Sequence, residues 1–115
     1  MLTEFGKLLR IIRIYSGDSA KQMAEKLHIS GSYLSAIEAG QRNIPLELER
    51  KIENVYDLSD IDRAKLRDAM ISNATLLKVD MTELSHERQK LILALVNGEI
   101  GNDTVEKMCA LAFEN

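Results

Sequence analysis

The sequence predicts an all-α fold, and three observations carry that prediction. The chain contains a single proline, Pro45, and is rich in leucine, isoleucine, alanine, lysine and glutamate, which favour helices. Serine, threonine or aspartate repeatedly precedes a stretch in which apolar residues recur at helical spacing. Hydrophobic residues make up 45% of the 115 positions, which is enough for a packed core and argues against a disordered chain.

The central stretch, from Asp18 to Asn43, has the pattern of two short helices joined by a tight turn. Ser19 can cap the first helix in a capping box with Gln22, and Ser30 can cap the second. Small Ala24 lies where the two backbones are expected to approach. Two short helices on so short a connection must cross steeply, which is the layout of a helix-turn-helix motif.

Further helices are predicted on both sides of this motif. Thr3 can cap a first helix that runs to about residue 15, and Pro45 favours the start of a fourth. Ser59 is expected to begin a longer helix that continues through roughly residue 79. Ser85 and Asp103 are expected to open two more helices.

The predicted domain organisation is a helix-turn-helix domain over residues 1–58 and a helical extension over residues 59–115. The formal net charge of −3 is unevenly divided between the two ends of the chain. Residues 1–45 carry six basic and four acidic side chains, whereas residues 46–115 carry nine and fourteen. This asymmetry permits the first part to bind a polyanion, while the acidic remainder would be repelled by it.

Several functional classes are excluded or disfavoured by the sequence. The single Cys109 excludes an internal disulfide and fits a reducing cytoplasm. No signal segment and no membrane-spanning run is present, so a cytoplasmic protein without membrane contact is predicted. No nucleophile motif, glycine-rich phosphate loop or metal-ligand spacing is found, so we expect no enzyme activity, no cofactor and no metal.

An ordered set of residues between about positions 3 and 58 matches a known family pattern. The set comprises Phe5, Gly6, Leu8, Leu9, Arg13, Ser19, Met23, Ala24, Glu25, Lys26, Leu27, Ile29, Ser30, Tyr33, Leu34, Ser35, Ile37, Glu38, Gly40, Arg42, Asn43, Ile44 and Pro45. With these residues, about half the chain resembles the lambda-repressor-like, xenobiotic-response-element (XRE, Cro/CI-type) helix-turn-helix regulators. The resemblance implies a five-helix DNA-binding domain, to which a C-terminal helical extension is added here.

His28 departs from the family pattern in the turn, where glycine is usual. Histidine tolerates a positive φ better than most residues, so we expect His28 to be a structural turn residue. The alternatives are a metal ligand or a pH switch, which the absence of a neighbouring Cys or His disfavours.

The resemblance also implies roles for individual side chains. The second helix of the motif would face the bases of DNA through Gly31, Ser32, Ser35 and Ala36, with Tyr33 at the edge. Gly31 and Ala36 cannot form bidentate contacts with a base, so direct readout should be sparse, and DNA shape or water should supply part of the specificity.

A second group of residues would contact phosphates, and one pair would be structural. The phosphate contacts would come from Ser19, Lys21, Gln22, Ser30, Gln41, Arg42 and Asn43. Arg13 and Glu38 would form an ion pair that braces the first helix against the recognition helix. Ala20 stands where the family often has a phosphate-contacting glutamine.

The sequence therefore favours a transcriptional regulator that represses a promoter by binding a palindromic double-stranded DNA operator, with a prophage or mobile element as one candidate origin. A single recognition helix reads only a few base pairs, so we expect a homodimer formed through residues 59–115. The alternative is an antitoxin, or another protein-interaction module that reuses the fold and binds a toxin or other protein. The plain recognition helix and the acidic pI of 5.4 are compatible with that alternative and keep it open.

Overall fold

Seven α-helices and one 3₁₀ helix follow one another along residues 2–113, the part of the chain that this computed structural model describes, and that part contains no strand. They are α1 (Glu4–Ser16), α2 (Ala20–Lys26), α3 (Gly31–Glu38), α4 (Leu48–Val55), α5 (Asp60–Asn73), the 3₁₀ helix (Met81–Glu83), α6 (His86–Val96) and α7 (Asn102–Phe113). The predicted all-α fold is confirmed. The chain forms two compact units, which divide after Val79.

Local capping chemistry sets both ends of α1. The hydroxyl of Thr3 accepts a hydrogen bond from the Gly6 N–H at 3.1 Å, which satisfies one of the unpaired donors at the helix start. At the other end Gly17 adopts φ +79, and its N–H donates to the carbonyl oxygen of Arg13 at 2.8 Å. The helix predicted from about residue 3 to residue 15 therefore has the expected position.

The core of the first unit is built from all five of its helices. Its largest fully buried side chains are Phe5, Leu9, Met23, Leu27, Leu34, Ile37, Leu48, Ile52 and Leu66. Leu66 and Ala69 of α5 are buried in this same cluster, so α5 completes the core of α1 to α4. The compact unit thus continues past residue 58, where the sequence analysis placed the domain boundary.

The long helix predicted over residues 59–79 ends early. It begins after the Ser59 cap as expected, but its last helical residue is Asn73, and Ala74 is extended with ψ 126. Leu76 and Leu77, which follow, are 52% and 57% exposed. The helix ends on Ser72 and Asn73, residue types that compete for backbone hydrogen bonds and favour helix ends and turns over helix interiors.

The end of α3 approaches the start of α1 very closely. The backbone N–H and the hydroxyl of Thr3 both donate to the carbonyl oxygen of Glu38 at 3.0 Å. A Cβ atom on Gly6 would overlap that same carbonyl oxygen and lie 3.0 Å from the Cα of Glu38. Glycine is therefore required at position 6 by the close contact of two backbones.

A buried ion pair joins the same two helices. Arg13 and Glu38 are only 8% and 5% exposed, and their side chains form two hydrogen bonds, of which Nη2 to Oε1 measures 3.2 Å. Arg13 Nη1 also donates to the sulfur of Met23 on α2 at 3.4 Å. The guanidinium group therefore contacts α2 and α3 from its place on α1.

The second unit, from Asp80 onward, has helices but little core of its own. Ser85 caps α6 by accepting a hydrogen bond from the Arg88 N–H at 3.2 Å, as expected. None of the side chains described in this unit is buried, and Leu93 and Val96 are 55% and 77% exposed. No helix within residues 2–113 combines the length and the apolar character needed to cross a membrane.

Gly6→Ala should destabilise the protein by roughly 1–3 kcal/mol, because the added methyl group overpacks two backbones that cannot move apart without cost. Urea denaturation followed by circular dichroism measures the change. Gly101→Ala is the matched control, since a Cβ at that position has no neighbouring atom within 4 Å. Equal unfolding midpoints for the two variants would contradict the close contact.

Arg13→Met should cost about 3–5 kcal/mol of stability, because it leaves the carboxylate of Glu38 buried without a counter-charge. The double variant Arg13→Met/Glu38→Leu should recover much of that loss, since it removes both charges. The unfolding free energies of Arg13→Met, Glu38→Leu and the double variant give the interaction energy between the two side chains. Purely additive losses would show that the two side chains act independently.

Candidate nucleic-acid interface

The turn between α2 and α3 is tight and closed by backbone hydrogen bonds. The His28 N–H donates to the Glu25 carbonyl at 3.1 Å, and the Ile29 N–H donates to the Ala24 carbonyl at 3.0 Å. His28 has φ +57, in the left-handed region, and among the described residues other than glycine it alone has a positive φ. This is the conformation for which the family uses glycine and the one that we predicted for His28.

The first turn of α3 places small polar residues at the surface. The Ser30 hydroxyl accepts from the Tyr33 N–H at 3.1 Å and lies 3.3 Å from the hydroxyl of Ser32. Of the residues predicted to face bases, Gly31, Ser32 and Ser35 are exposed. Tyr33 and Ala36 are half-buried, because the apolar face of α3 packs Leu34 and Ile37 into the core.

The ring of Tyr33 contacts Arg42 rather than standing free. The guanidinium carbon of Arg42 lies 5.2 Å from the ring centroid, which is a cation–π geometry. The contact joins α3 to the loop that follows this helix. The ring restricts the motion of the Arg42 side chain. Because this contact uses the face of the guanidinium group, the N–H groups of Arg42 stay available as hydrogen-bond donors.

That loop brings the three predicted phosphate-contacting residues Gln41, Arg42 and Asn43 to the surface together. Gly40 has φ +78, and the Gln41 N–H donates to the Ala36 carbonyl at 2.9 Å, which closes the end of α3. The chain therefore leaves the helix at Gly40 and exposes one guanidinium group and two side-chain amides.

The start of α2 contains the predicted capping box. The Ser19 hydroxyl accepts from the Gln22 N–H at 3.1 Å, and the Ser19 N–H donates to Gln22 Oε1 at 2.8 Å. The amide nitrogen of Gln22 has no part in this box, so it can still donate to a ligand. Lys21 is exposed and forms no ion pair with any residue of the described chain.

A polar network behind α2 was not predicted from the sequence. Lys26 Nζ lies 2.7 Å from the Asp18 carboxylate and 5.6 Å from the ring centroid of Tyr56, whose hydroxyl donates to Asp18 at 2.7 Å. The hydrogen bonds from Lys26 and Tyr56 hold the pKa of Asp18 below its ordinary value, whereas burial and this carboxylate raise the pKa of Tyr56. Lys26 is therefore engaged within the protein, unlike Lys21.

Comparison with known proteins agrees with this geometry. A family model described as a helix-turn-helix domain matches residues 4–66, more than half of the chain. None of the curated proteins and none of the solved structures gave a significant match. The matched range begins with α1, contains the α2–turn–α3 motif and ends at Leu66, which is buried in the core. The chain thus belongs to the helix-turn-helix domain family, consistent with the XRE, Cro/CI-type resemblance of its sequence.

Proposed function

We propose that this protein is a cytoplasmic, non-catalytic transcriptional regulator that binds double-stranded DNA sequence-specifically and represses a promoter as a homodimer. The observation that carries the proposal is the exposure of Gly31, Ser32 and Ser35 on α3, which follows a closed turn and precedes the exposed loop of residues 41–43. A helix presented in this way fits the major groove, whose base edges it can read.

The polar groups of α3 determine what such a helix can read. The hydroxyls of Ser32 and Ser35 can donate to or accept from base edges, and the methyl group of Ala36 can contact a thymine methyl. Gly31 lets the DNA approach the backbone closely but adds no donor. Base contacts of this kind are few, so part of the specificity is assigned to DNA shape and to bridging water.

Two positively charged positions flank the helix. Arg42 lies in the loop after α3, and Lys21 lies in the first turn of α2. Together with the amides of Gln22, Gln41 and Asn43 and the helix start at Ser30, they supply donors for phosphates on either side of a groove. These contacts set orientation and most of the affinity, whereas the α3 hydroxyls set preference.

The proposed dimer would use the C-terminal part of the chain. Within the predicted extension, α5 buries Leu66 and Ala69 in the first unit, whereas α6 and α7 bury none of their described side chains, so we assign the contact to α6 and α7. Leu91, Leu93, Leu95 and Val96 of α6 are between 41% and 77% exposed. Such a set of apolar side chains on one helix is typical of a surface that another chain covers.

A second candidate function is a protein-interaction module, for example an antitoxin. The same exposed leucines favour it, because a different protein could cover them, and the few base-reading groups of α3 favour it as well. The two roles are compatible, since an antitoxin can also bind its own promoter.

Binding of the purified protein to its own upstream DNA tests the proposal. Fluorescence anisotropy at several salt concentrations, with a random duplex of equal length, measures affinity and preference, and sedimentation gives the oligomeric state. We expect nanomolar, salt-sensitive binding by a dimer that prefers the upstream duplex. Equal weak binding to both duplexes would favour the protein-interaction function, and a pull-down would then identify the partner.

Arg42→Ala should weaken binding to the upstream and random duplexes alike, because a phosphate contact releases counterions regardless of sequence. The salt slope, meaning the steepness with which the logarithm of the binding constant falls with the logarithm of the salt concentration, should decrease by about one unit. Arg63→Ala, which removes an exposed arginine of α5, serves as the charge-matched control. If Arg42→Ala bound as tightly as this control, Arg42 would not belong to the interface.

Ser35→Ala or Ser32→Ala should instead change sequence preference, by about 1 kcal/mol for one lost hydrogen bond. The ratio of affinities for upstream and random DNA reports this change, and Ser72→Ala on α5 controls for loss of a serine elsewhere. A loss that is equal on both duplexes would assign these hydroxyls to the DNA backbone.

A further inference from the structure

A cleft of about 340 Å³ lies where the loop after α3 meets the segment after α5. Arg42 and Asn43 line it from the loop, and Lys78 lines it from the segment. Lys78 lies outside residues 4–66, the range that matches the family. Lys78 also lies beyond Asn73, the last residue of α5. Helical spacing in the sequence therefore could not predict that Lys78 and Arg42 line the same cleft.

Packing in the first unit fixes the point at which the segment that carries Lys78 begins. Leu66 and Ala69 bury α5 in the core, and the Asn73 side-chain oxygen accepts from the Phe5 N–H at 3.3 Å. Lys78 follows five residues after this anchor. Leu76 lines the same cleft as Pro45, which gives the segment an apolar contact surface next to the charged one.

The charges in the cleft favour an anion. Arg42 and Lys78 contribute two positive charges, and Asn43 contributes an amide donor. Glu47 is the one carboxylate in the lining, so the cleft retains a net positive charge. Neither Arg42 nor Lys78 forms an ion pair with the described residues, and the guanidinium group of Arg42 lies over the ring of Tyr33.

We propose that Lys78 binds a phosphate of the DNA backbone beside Arg42, so that the DNA-binding surface includes a segment outside the helix-turn-helix domain. This inference rests on the proposed function, because it requires that the loop after α3 faces DNA. The ligand is the phosphodiester backbone of a duplex. Since lysine acts as a point charge on phosphate, the contact adds affinity without adding sequence preference.

Lys78→Ala is the direct test, with Lys65→Ala as a control that removes one lysine from α5 and Lys78→Arg as the charge-conserving variant. Anisotropy with the upstream and random duplexes should show roughly five- to tenfold weaker binding by Lys78→Ala at about 0.1 M salt, on both duplexes, and a salt slope about one unit shallower. Lys78→Arg and Lys65→Ala should bind like the wild type.

Three results would overturn the inference. Lys78→Ala could bind as tightly as Lys65→Ala, its loss could be confined to the upstream duplex, or sedimentation could show that it impairs self-association. Each of these leaves the proposed function intact if the wild type still prefers upstream DNA. Failure of the wild type to bind either duplex would reject the proposed function, and the inference with it.

The double variant Arg42→Ala/Lys78→Ala separates a direct contact from an indirect one. Two separate phosphate contacts should lower the salt slope by about two units, whereas a lysine that merely positions Arg42 should add nothing to the effect of Arg42→Ala.

Inorganic phosphate, added at constant ionic strength, distinguishes a site for the DNA backbone from a pocket for a free anion. We expect it to leave the melting temperature and DNA affinity unchanged, and stabilisation that Lys78→Ala abolishes would overturn the assignment to DNA.

Discussion

The buried ion pair between Arg13 and Glu38 is the interaction that fixes the position of α3 against α1. Two charges removed from water cost several kcal/mol each, and only well-placed partners offset that cost. Arg13 is in the last turn of α1 and Glu38 is the last residue of α3, so the pair tolerates little change in the register of these helices. The Thr3 hydrogen bonds and the Gly6 contact act on the same end of α3 and make its position still more specific.

A helix held in this way can present its other end to a ligand at little cost in entropy. The C-terminal end of α3 is fixed in the protein, while Gly31 and Ser32 at its start are exposed. The Tyr33 ring likewise restricts Arg42 before any ligand arrives. Side chains ordered in advance lose less conformational freedom on binding, which increases the affinity obtained from a small number of contacts.

Features that depend on neighbouring residues were predictable from the sequence. The caps at Thr3, Ser19, Ser30, Ser59 and Ser85 are confirmed because each involves a backbone N–H three residues further on. The positive φ of His28 also follows from the short connection on which it lies. These local rules were sufficient to predict the helix-turn-helix motif and the all-α fold.

Features that depend on distant residues could not be predicted in this way. Apolar spacing alone suggested a helix longer than α5, whose last residue, Asn73, accepts a hydrogen bond from the distant Phe5 N–H. The Asp18–Lys26–Tyr56 network and the cleft between Arg42 and Lys78 join residues that are far apart in sequence. The buried positions of α5 likewise required the tertiary structure, because only the core shows that it belongs with α1 to α4.

If the proposed dimer forms through the second unit, that unit determines how the protein responds to its own concentration. Helices such as α6 and α7, whose described side chains are not buried, gain little free energy by ordering alone, and a partner chain that covered them would stabilise them. If the cover is a second copy, as proposed, folding of α6 and α7 and pairing of subunits become one equilibrium that depends on the amount of protein. A modest fall in protein concentration would then dissociate the dimer, unfold these helices and release the operator in one step. Repression would therefore fall more steeply with concentration than it would for a dimer whose helices are folded before they pair.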